Sequence, residues 1–381
     1  MTDHISPLLA QHEALGATLT EFGGWQMPLR YGSDIAEHNA VRQAAGLFDI
    51  SHMGQIRVFG PQAAAALDYA VVGWMSSIPV GRAKYTMICA EDGGVIDDLV
   101  VYREGDDQFT VVANAGNADV VFAELGTRAA SFDATVARPQ EQMSLIAVQG
   151  PVAEQILTGT QLVSAVDAEA LSALKYYAIT GAVVAGIEVR VARTGYTGED
   201  GFELFVLGSR AQELWQALLA AGAPFGMVPA GLSARDSLRL EAGMPLYGHE
   251  LDLTTTPYEA GLGRVVHLQK VDAAGAPLPF VGRAALESRR HSAPARVLVG
   301  LRAHGRRAVR AGTELVLDAA EPTAVIGRAT SGAPSPTLGY PIAMAYVTPE
   351  FSAPGTELTA LVRGRGETVE VVQMPFYRRQ S

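Results

Sequence analysis

The chain has 381 residues, 48% of them hydrophobic, and a formal net charge of -11. That length supports two or three domains with sizeable interiors, and the negative charge repels phosphate backbones, so nucleic acid is not an expected partner. A single cysteine, Cys89, excludes an internal disulfide; the eight histidines show no HExxH or similar zinc spacing, so no metal is expected; and no apolar run reaches the ~18 to 20 residues of a membrane span.

The start, "MTDHISPLLAQHEALGA", lacks the basic end and apolar core of a signal peptide, which points to a cytoplasmic protein. Ser6 and Pro7, followed by Leu8, Leu9, His12 and Leu15 and closed by Gly16, predict a short helix. A second helix is expected from about Ser33 to Ala45, stopped by Gly46. "MGQIRVF" alternates and predicts a strand at 53–59, and Pro61 opens another helix. "YTMICAEDGGVIDDLVVYR" reads as a hairpin turning at Glu91 to Gly94. Strands at about 108–113, 143–149 and 187–193 alternate with helices near 117–128, 151–157 and 209–221. From about residue 283, apart from a short helix at Arg283 to Ser288, the pattern changes to short β-rich runs: "RVLVGLRA", "ELVLDA", "AVIGRA", "IAMAYV", "ELTALV" and "TVEVVQM". Gly and Pro clusters separate them, as in a small all-β barrel or sandwich. The loop "VDAAGAPLPFVGR" marks the boundary, giving regions 1–282 and 283–381.

Two segments place acids where apolar residues belong. In "GGVIDDLVVYR", strand alternation puts Asp98 on a face with Ile96, Val100 and Tyr102, and Asp97 on the other with Val95, Leu99 and Val101. A buried unpaired carboxylate costs several kcal/mol, so at least one acid reaches a pocket, cation or polar ligand, unless the pair still lies in a solvated turn. "RTGYTGEDGFELFV" poses the same question at Glu203, between Phe202 and Leu204. Gly195, Gly198 and Gly201 suit a loop folded closely around something, with Tyr196 at its tip; a surface turn with Glu203 on an edge strand is the alternative. "AGLSARDSLRLEAG" reads as a helix with Arg235 and Arg239 on one face, relieved by a shared anion or by pairing with Asp236, Glu241 or Glu203. Between Arg283 and Arg310 eight arginines face one acid, Glu287, which is either a docking surface for an acidic partner or a bias of Arg over Lys. No GxxxxGK[ST] or GxSxG occurs, and "GLGRVV" lacks the third glycine of a dinucleotide fingerprint.

Taken together and in order, "FGGWQMPLRYG", "GLFDISHMGQIRV", "GGVIDDLVVYR", "RTGYTGEDGFELFV", "GLSARDSLRLEAGMPLYGHELD", "SPTLGYPIAMAYV" and "MPFYRR" resemble the aminomethyltransferase, or T-protein, family of the glycine cleavage system. The resemblance spans nearly the whole chain. It implies an α+β fold: a three-domain cloverleaf of two mixed α+β domains and a C-terminal all-β barrel around a central folate cavity. It also implies transfer of the methylene carbon from aminomethyl-dihydrolipoyl H-protein to tetrahydrofolate, with release of ammonia, in glycine catabolism and one-carbon metabolism. Lipoylated H-protein is the implied partner, tetrahydrofolate the co-substrate. By position, Asp98 resembles the family's catalytic aspartate and Glu203 a folate-binding glutamate. Arg235, Tyr196, Tyr85, Met53, Asn114 and Arg378 resemble further folate- or substrate-binding residues. Arg289 and Arg290, within the basic stretch, are the expected docking residues. His52 and Tyr247 are read as packing. The chain departs from the family pattern at Arg264, where tryptophan is common, and in its longer connection before "FVGR". The rival readings are a folate-dependent demethylase on the same fold and a non-catalytic folate-binding assembly protein; the latter carries a KGCYxGQE-like motif missing here.

Overall fold

The computed structural model describes residues 4–140, 142–272, 274–318 and 324–379. Residues 1–3 of the leading stretch, Ala273 of the boundary loop and Ala319 at the end of "ELVLDA" therefore lie outside the described residues. Two compact units emerge. One comprises the described chain up to Ile88, Asp98–Arg235 and Val271–Phe280; the other comprises Cys89–Asp97, Asp236–Lys270 and the chain from Val281 onward.

The first unit is mixed α and β. A six-stranded sheet runs Ile179–Val184, Ile187–Ala192, Gly201–Leu207, Met143–Gln149, Gly46–Asp49, Val228–Pro229, and a five-stranded sheet runs Arg82–Cys89, Val95–Gly105, Gln108–Ala113, Gly54–Phe59, Thr135–Ala137. The helices Asp34–Gln43, Ala63–Ala70, Ala118–Ala129, Ala153–Thr158 and Ala211–Gly222 fall where periodicity places them. Ser33 caps the first of these by accepting from Ala36 N. The sequence reading did not reach the hairpin Thr18–Phe22 and Trp25–Arg30, the strands Gly46–Asp49 and Ile179–Val184, or the helix Ala165–Ala173. The first hairpin turns at Gly23 and Gly24, both at positive φ (56° and 85°), as a tight two-residue loop requires.

Strand alternation explains how the sheets are used. Phe202, Leu204 and Val206 point to a core shared with Ile146, Val148, Leu214, Trp215 and Leu218, where the helix Ala211–Gly222 buries its apolar stripe. Glu203 and Phe205 must then point the opposite way. There the Phe205 ring meets Tyr102 of the five-stranded sheet edge-on, with centroids 5.6 Å apart. Asp98 and Tyr102, four residues apart on one strand, share a face. The two acids of interest thus stand on the facing sides of two sheets within one unit.

A buried polar knot ties the N-terminus to the six-stranded sheet. Asp49 accepts hydrogen bonds from the Ser6 hydroxyl and from Ser51 N at 2.9 Å, and lies 2.8 Å from His12 Nε2; Tyr31 Oη is 2.8 Å from His12 Nδ1. Burial opposes ionisation of Asp49, but these hydrogen bonds and His12 outweigh it and hold the carboxyl below its usual range.

In the second unit, the strands Val297–Ala303, Pro341–Val347, Val325–Pro334, Glu314–Val316, Glu357–Val362 and Arg365–Val372 form a closed barrel in that order. All six pairings are antiparallel, so no strand edge is left open. The six β-rich runs of the sequence supply the six strands. Arg239 is fully buried in this unit, bonding Glu250 at 2.9 Å and the Ser331 hydroxyl at 2.8 Å.

Replacing Asp49 with Ala strips the buried His12 and Ser6 of their acceptor. A fall of several degrees in the thermal unfolding midpoint is expected, on the order of 3 kcal/mol. Because the folded pKa is depressed, the Asp49 contribution is complete above the unfolded value of about 4 and is lost as pH falls through the lower folded value. Melting curves of parent and variant should therefore converge in acid.

Candidate active site

Asp98 lies within its strand, not in the preceding turn, and each of its carboxylate oxygens is held. Asn114 Nδ2 donates to Oδ1 at 2.8 Å and to the Asp98 carbonyl at 3.3 Å, while the Tyr85 hydroxyl donates to Oδ2 at 3.1 Å. The donors come from the two neighbouring strands: Tyr85 from Arg82–Cys89 and Asn114 from just beyond Gln108–Ala113. Burial, then the Asp98 charge, push the Tyr85 phenol well above its ordinary range, so it remains a donor at neutral pH. Asp98 keeps part of its surface accessible, whereas Asp97, on the opposite face, is 0% exposed. Alternation separated the two acids; the fold decides which one meets solvent.

Glu203 sits on Gly201–Leu207, an interior strand of the six-stranded sheet, so the edge-strand alternative does not hold. Its Oε2 accepts from the Thr194 hydroxyl at 2.7 Å and from the Tyr102 hydroxyl at 3.3 Å; those two hydroxyl oxygens are 3.1 Å apart. Among the described residues no hydrogen bond reaches Oε1. Burial raises the Glu203 pKa, opposed by the Thr194 bond, the Arg235 charge and the Tyr102 bond, in that order. Tyr102 thereby joins the Asp98 strand to the Glu203 strand through both its ring and its hydroxyl.

The Arg235 guanidinium lies over the Tyr196 ring, 4.8 Å from its centroid. Arg239 pairs with Asp236 and Glu250. His52 is 1% exposed, and burial followed by the Arg235 charge holds its imidazole down at about 3. It is therefore neutral near pH 7, and its ring packs edge-on against Phe22 with centroids 5.3 Å apart. Met53 is half-buried beside it. Arg378 is exposed in the C-terminal segment of the second unit, and Arg289 and Arg290 are exposed on the last turn of the helix Arg283–Arg290.

Thr194, the donor to Glu203, and Tyr177 escaped the sequence reading. Tyr177 takes φ 57°, and its phenol is pushed up by burial, then by Tyr176, Glu203 and Asp98, so it stands within electrostatic reach of both acids. Its backbone is gripped from two sides: Tyr177 N donates to Arg193 O at 3.0 Å, and Ala83 N donates to Tyr177 O at 2.9 Å. A bulky residue in the left-handed region costs roughly 1–2 kcal/mol. The only available signal for Tyr177 was "KYYA", an aromatic pair ahead of a strand, which by itself reads as packing.

Two acids fixed by neutral donors, ringed by tyrosines and accompanied by an arginine, can bind a flat polar heterocycle and handle a proton. Comparison with known proteins identifies the lineage. Residues 8–270 match the family described as "GCVT N-terminal domain", and residues 296–378 match "Glycine cleavage T-protein C-terminal barrel domain". The chain belongs to the glycine cleavage T-protein family. T-protein relatives named aminomethyltransferase include that of Streptomyces avermitilis, 57% identical over 98% of this chain and 97% of its own, and that of Moorella thermoacetica, 43% identical over 98% of both. Among solved structures, the glycine cleavage system aminomethyltransferase T of Bartonella henselae superposes with a TM-score of 0.88 at 36% identity, covering 98% of each chain.

Removing the Thr194 hydroxyl takes away a bond to the ionised form of Glu203. In Thr194→Ala the Glu203 carboxyl should therefore titrate at a higher pH than in the parent, read from side-chain carbonyl shifts of glutamate-labelled protein by NMR. An unchanged midpoint would remove Thr194 from the electrostatics of the site.

Proposed function

We infer that the protein is the tetrahydrofolate-dependent aminomethyltransferase of a glycine cleavage system. The aminomethyl group arrives on the dihydrolipoyl arm of H-protein. The methylene carbon leaves sulfur and ammonia and bonds to two folate nitrogens; of the two protons those nitrogens release, one goes to the thiol and one to ammonium. The observation that carries this reading is the pair of partly accessible carboxylates, Asp98 and Glu203, fixed by hydroxyl and amide donors on facing sheets.

The residues fit the folate. An aminopyrimidinone presents adjacent N–H donors, and Glu203 offers Oε1 beside an Oε2 already steadied by two hydroxyls. Tyr85, Tyr177 and Tyr196 supply ring surface for a pterin and an aminobenzoyl group. Met53 and Asn114 are assigned to the same pocket and Arg235 to polar contacts with the ligand. Asp98 is assigned the chemical step: its fixed carboxylate orients the amine by hydrogen bonding and takes up or relays its proton as the new carbon–nitrogen bond forms. Asn114 and Tyr85 hold the carboxylate in one orientation, which saves it from reorganising during the reaction. His52, neutral and packed on Phe22, has no part in the proton transfer.

Among the described residues no helix is long and apolar enough to cross a membrane, and a cytoplasmic setting is proposed. The partner is lipoylated H-protein, and Arg289 and Arg290 are proposed to contact it. Both side chains are exposed at a helix C-terminus, free to meet an acidic surface and to hasten encounter.

Purified protein given aminomethylated H-protein and tetrahydrofolate should release ammonia and form methylene-tetrahydrofolate. Asp98→Asn should keep folate affinity while losing most turnover, by about a hundredfold or more. Glu203→Ala should weaken folate binding itself. Normal turnover in Asp98→Asn would overturn the catalytic assignment. Charge reversal at Arg289 and Arg290 should raise the KM for H-protein and leave that for folate unchanged; equal KM values for H-protein would remove the docking assignment.

A further inference from the structure

We propose that Gln149 is a positioning residue for folate binding, and that Gly195 is a glycine because the Gln149 amide fills the space its side chain would need. The proposal rests on the assignment of Glu203 and Tyr196 to the folate site. Gln149 ends the strand Met143–Gln149, directly beside the Glu203 strand, where Ala147 pairs with Glu203 and Gln149 with Gly201. It is 2% exposed. Its Nε2 donates to Thr194 O at 3.0 Å, and its Oε1 accepts from the Thr197 hydroxyl at 3.1 Å. One planar amide therefore fastens both residues that flank Gly195 and Tyr196.

What it fastens is the working part of the loop. Thr194 is the residue whose hydroxyl steadies Glu203 Oε2, and Tyr196 is the ring over which Arg235 lies. Thr197 is gripped a second time through its carbonyl, which accepts from Arg42 Nη1 at 2.7 Å; the same nitrogen bonds Glu199 at 2.9 Å. With its side chain engaged at both ends, the amide resists rotation and the loop has little freedom to drift from Glu203.

The glycines record how closely the loop wraps the amide. A Cβ at Gly195 would stand 2.0 Å from Gln149 Oε1, whereas one at Gly201 would stand 2.4 Å from Gln149 Nε2 and 2.5 Å from the Val148 carbonyl oxygen, so that only Gly195 answers to the amide alone. Neither glycine takes a positive φ, so backbone freedom is not what position 195 needs. Space for Gln149 is.

The test combines Gln149→Met, Gln149→Ala and Gly195→Ala, with Glu203→Ala as the reference for the site. Tetrahydrofolate affinity is measured by calorimetry, and kcat and KM with aminomethylated H-protein. Gln149→Met keeps the volume but loses both hydrogen bonds, and should raise the Kd and KM for folate about tenfold with kcat nearly retained, because Gln149 touches no reacting atom. Gly195→Ala should weaken folate binding in the parent but add little in the Gln149→Ala background, where the amide is gone. If Glu203→Ala loses folate while Gln149→Met binds it like the parent, or if Gly195→Ala costs the same in both backgrounds, the positioning role is wrong and the site stands. A fall in melting temperature with unchanged Kd would likewise reduce Gln149 to a structural residue. If Glu203→Ala binds folate normally, the site assignment fails and the proposal fails with it.

Discussion

A carboxylate taken partly out of water must be met by donors or it acquires a proton, and the arrangement around Glu203 follows from that constraint. Thr194 and Tyr102 place both their hydroxyls on the same oxygen. The residual bias toward protonation, set by burial and countered by Arg235, makes a ligand that offers N–H groups the natural completion of the shell. Since Tyr102 belongs to the other sheet of the unit, the same contact that steadies the acid also fixes the spacing between the two sheets. The orientation of the acid and the packing of the two sheets are here one hydrogen-bonded unit.

Much of this was legible in the chain because it depends on local periodicity. Alternation alone put Asp98 on a face with Tyr102, Glu203 stood out between Phe202 and Leu204, and six spaced β-rich runs announced a small barrel or sandwich. What stayed hidden depends on neighbours distant in sequence. Nothing in "SARDSLRLEAG" tells that Arg239 is claimed by Glu250 and Ser331 while Arg235 lies over Tyr196. The strand Trp25–Arg30 carries Pro28, and the strand Ile179–Val184 carries Gly181 in its interior, residues that speak against a strand until a partner strand decides the matter. Alternation sends Asp97 and Asp98 to opposite faces without saying which face meets solvent; only the packing decides that.

Tyr177 shows a different tension. Among the described residues two other non-glycine residues take positive φ, Ala185 and Arg363, and each precedes a glycine in the short link between paired strands, where such angles are ordinary. Tyr177 has no such excuse. Hydrogen bonds to Arg193 and Ala83 hold it there. Strain of this kind persists only where the surrounding structure over-determines the backbone.

The division of the chain has a practical side. Each compact unit is assembled from three separate stretches, and the break at Asp97 and Asp98 falls inside one strand. No single cut in the gene therefore yields an intact half. Fragment expression, split reporters and domain exchange would each sever a unit from part of itself, and the shortest piece that carries a whole unit already spans most of the polypeptide.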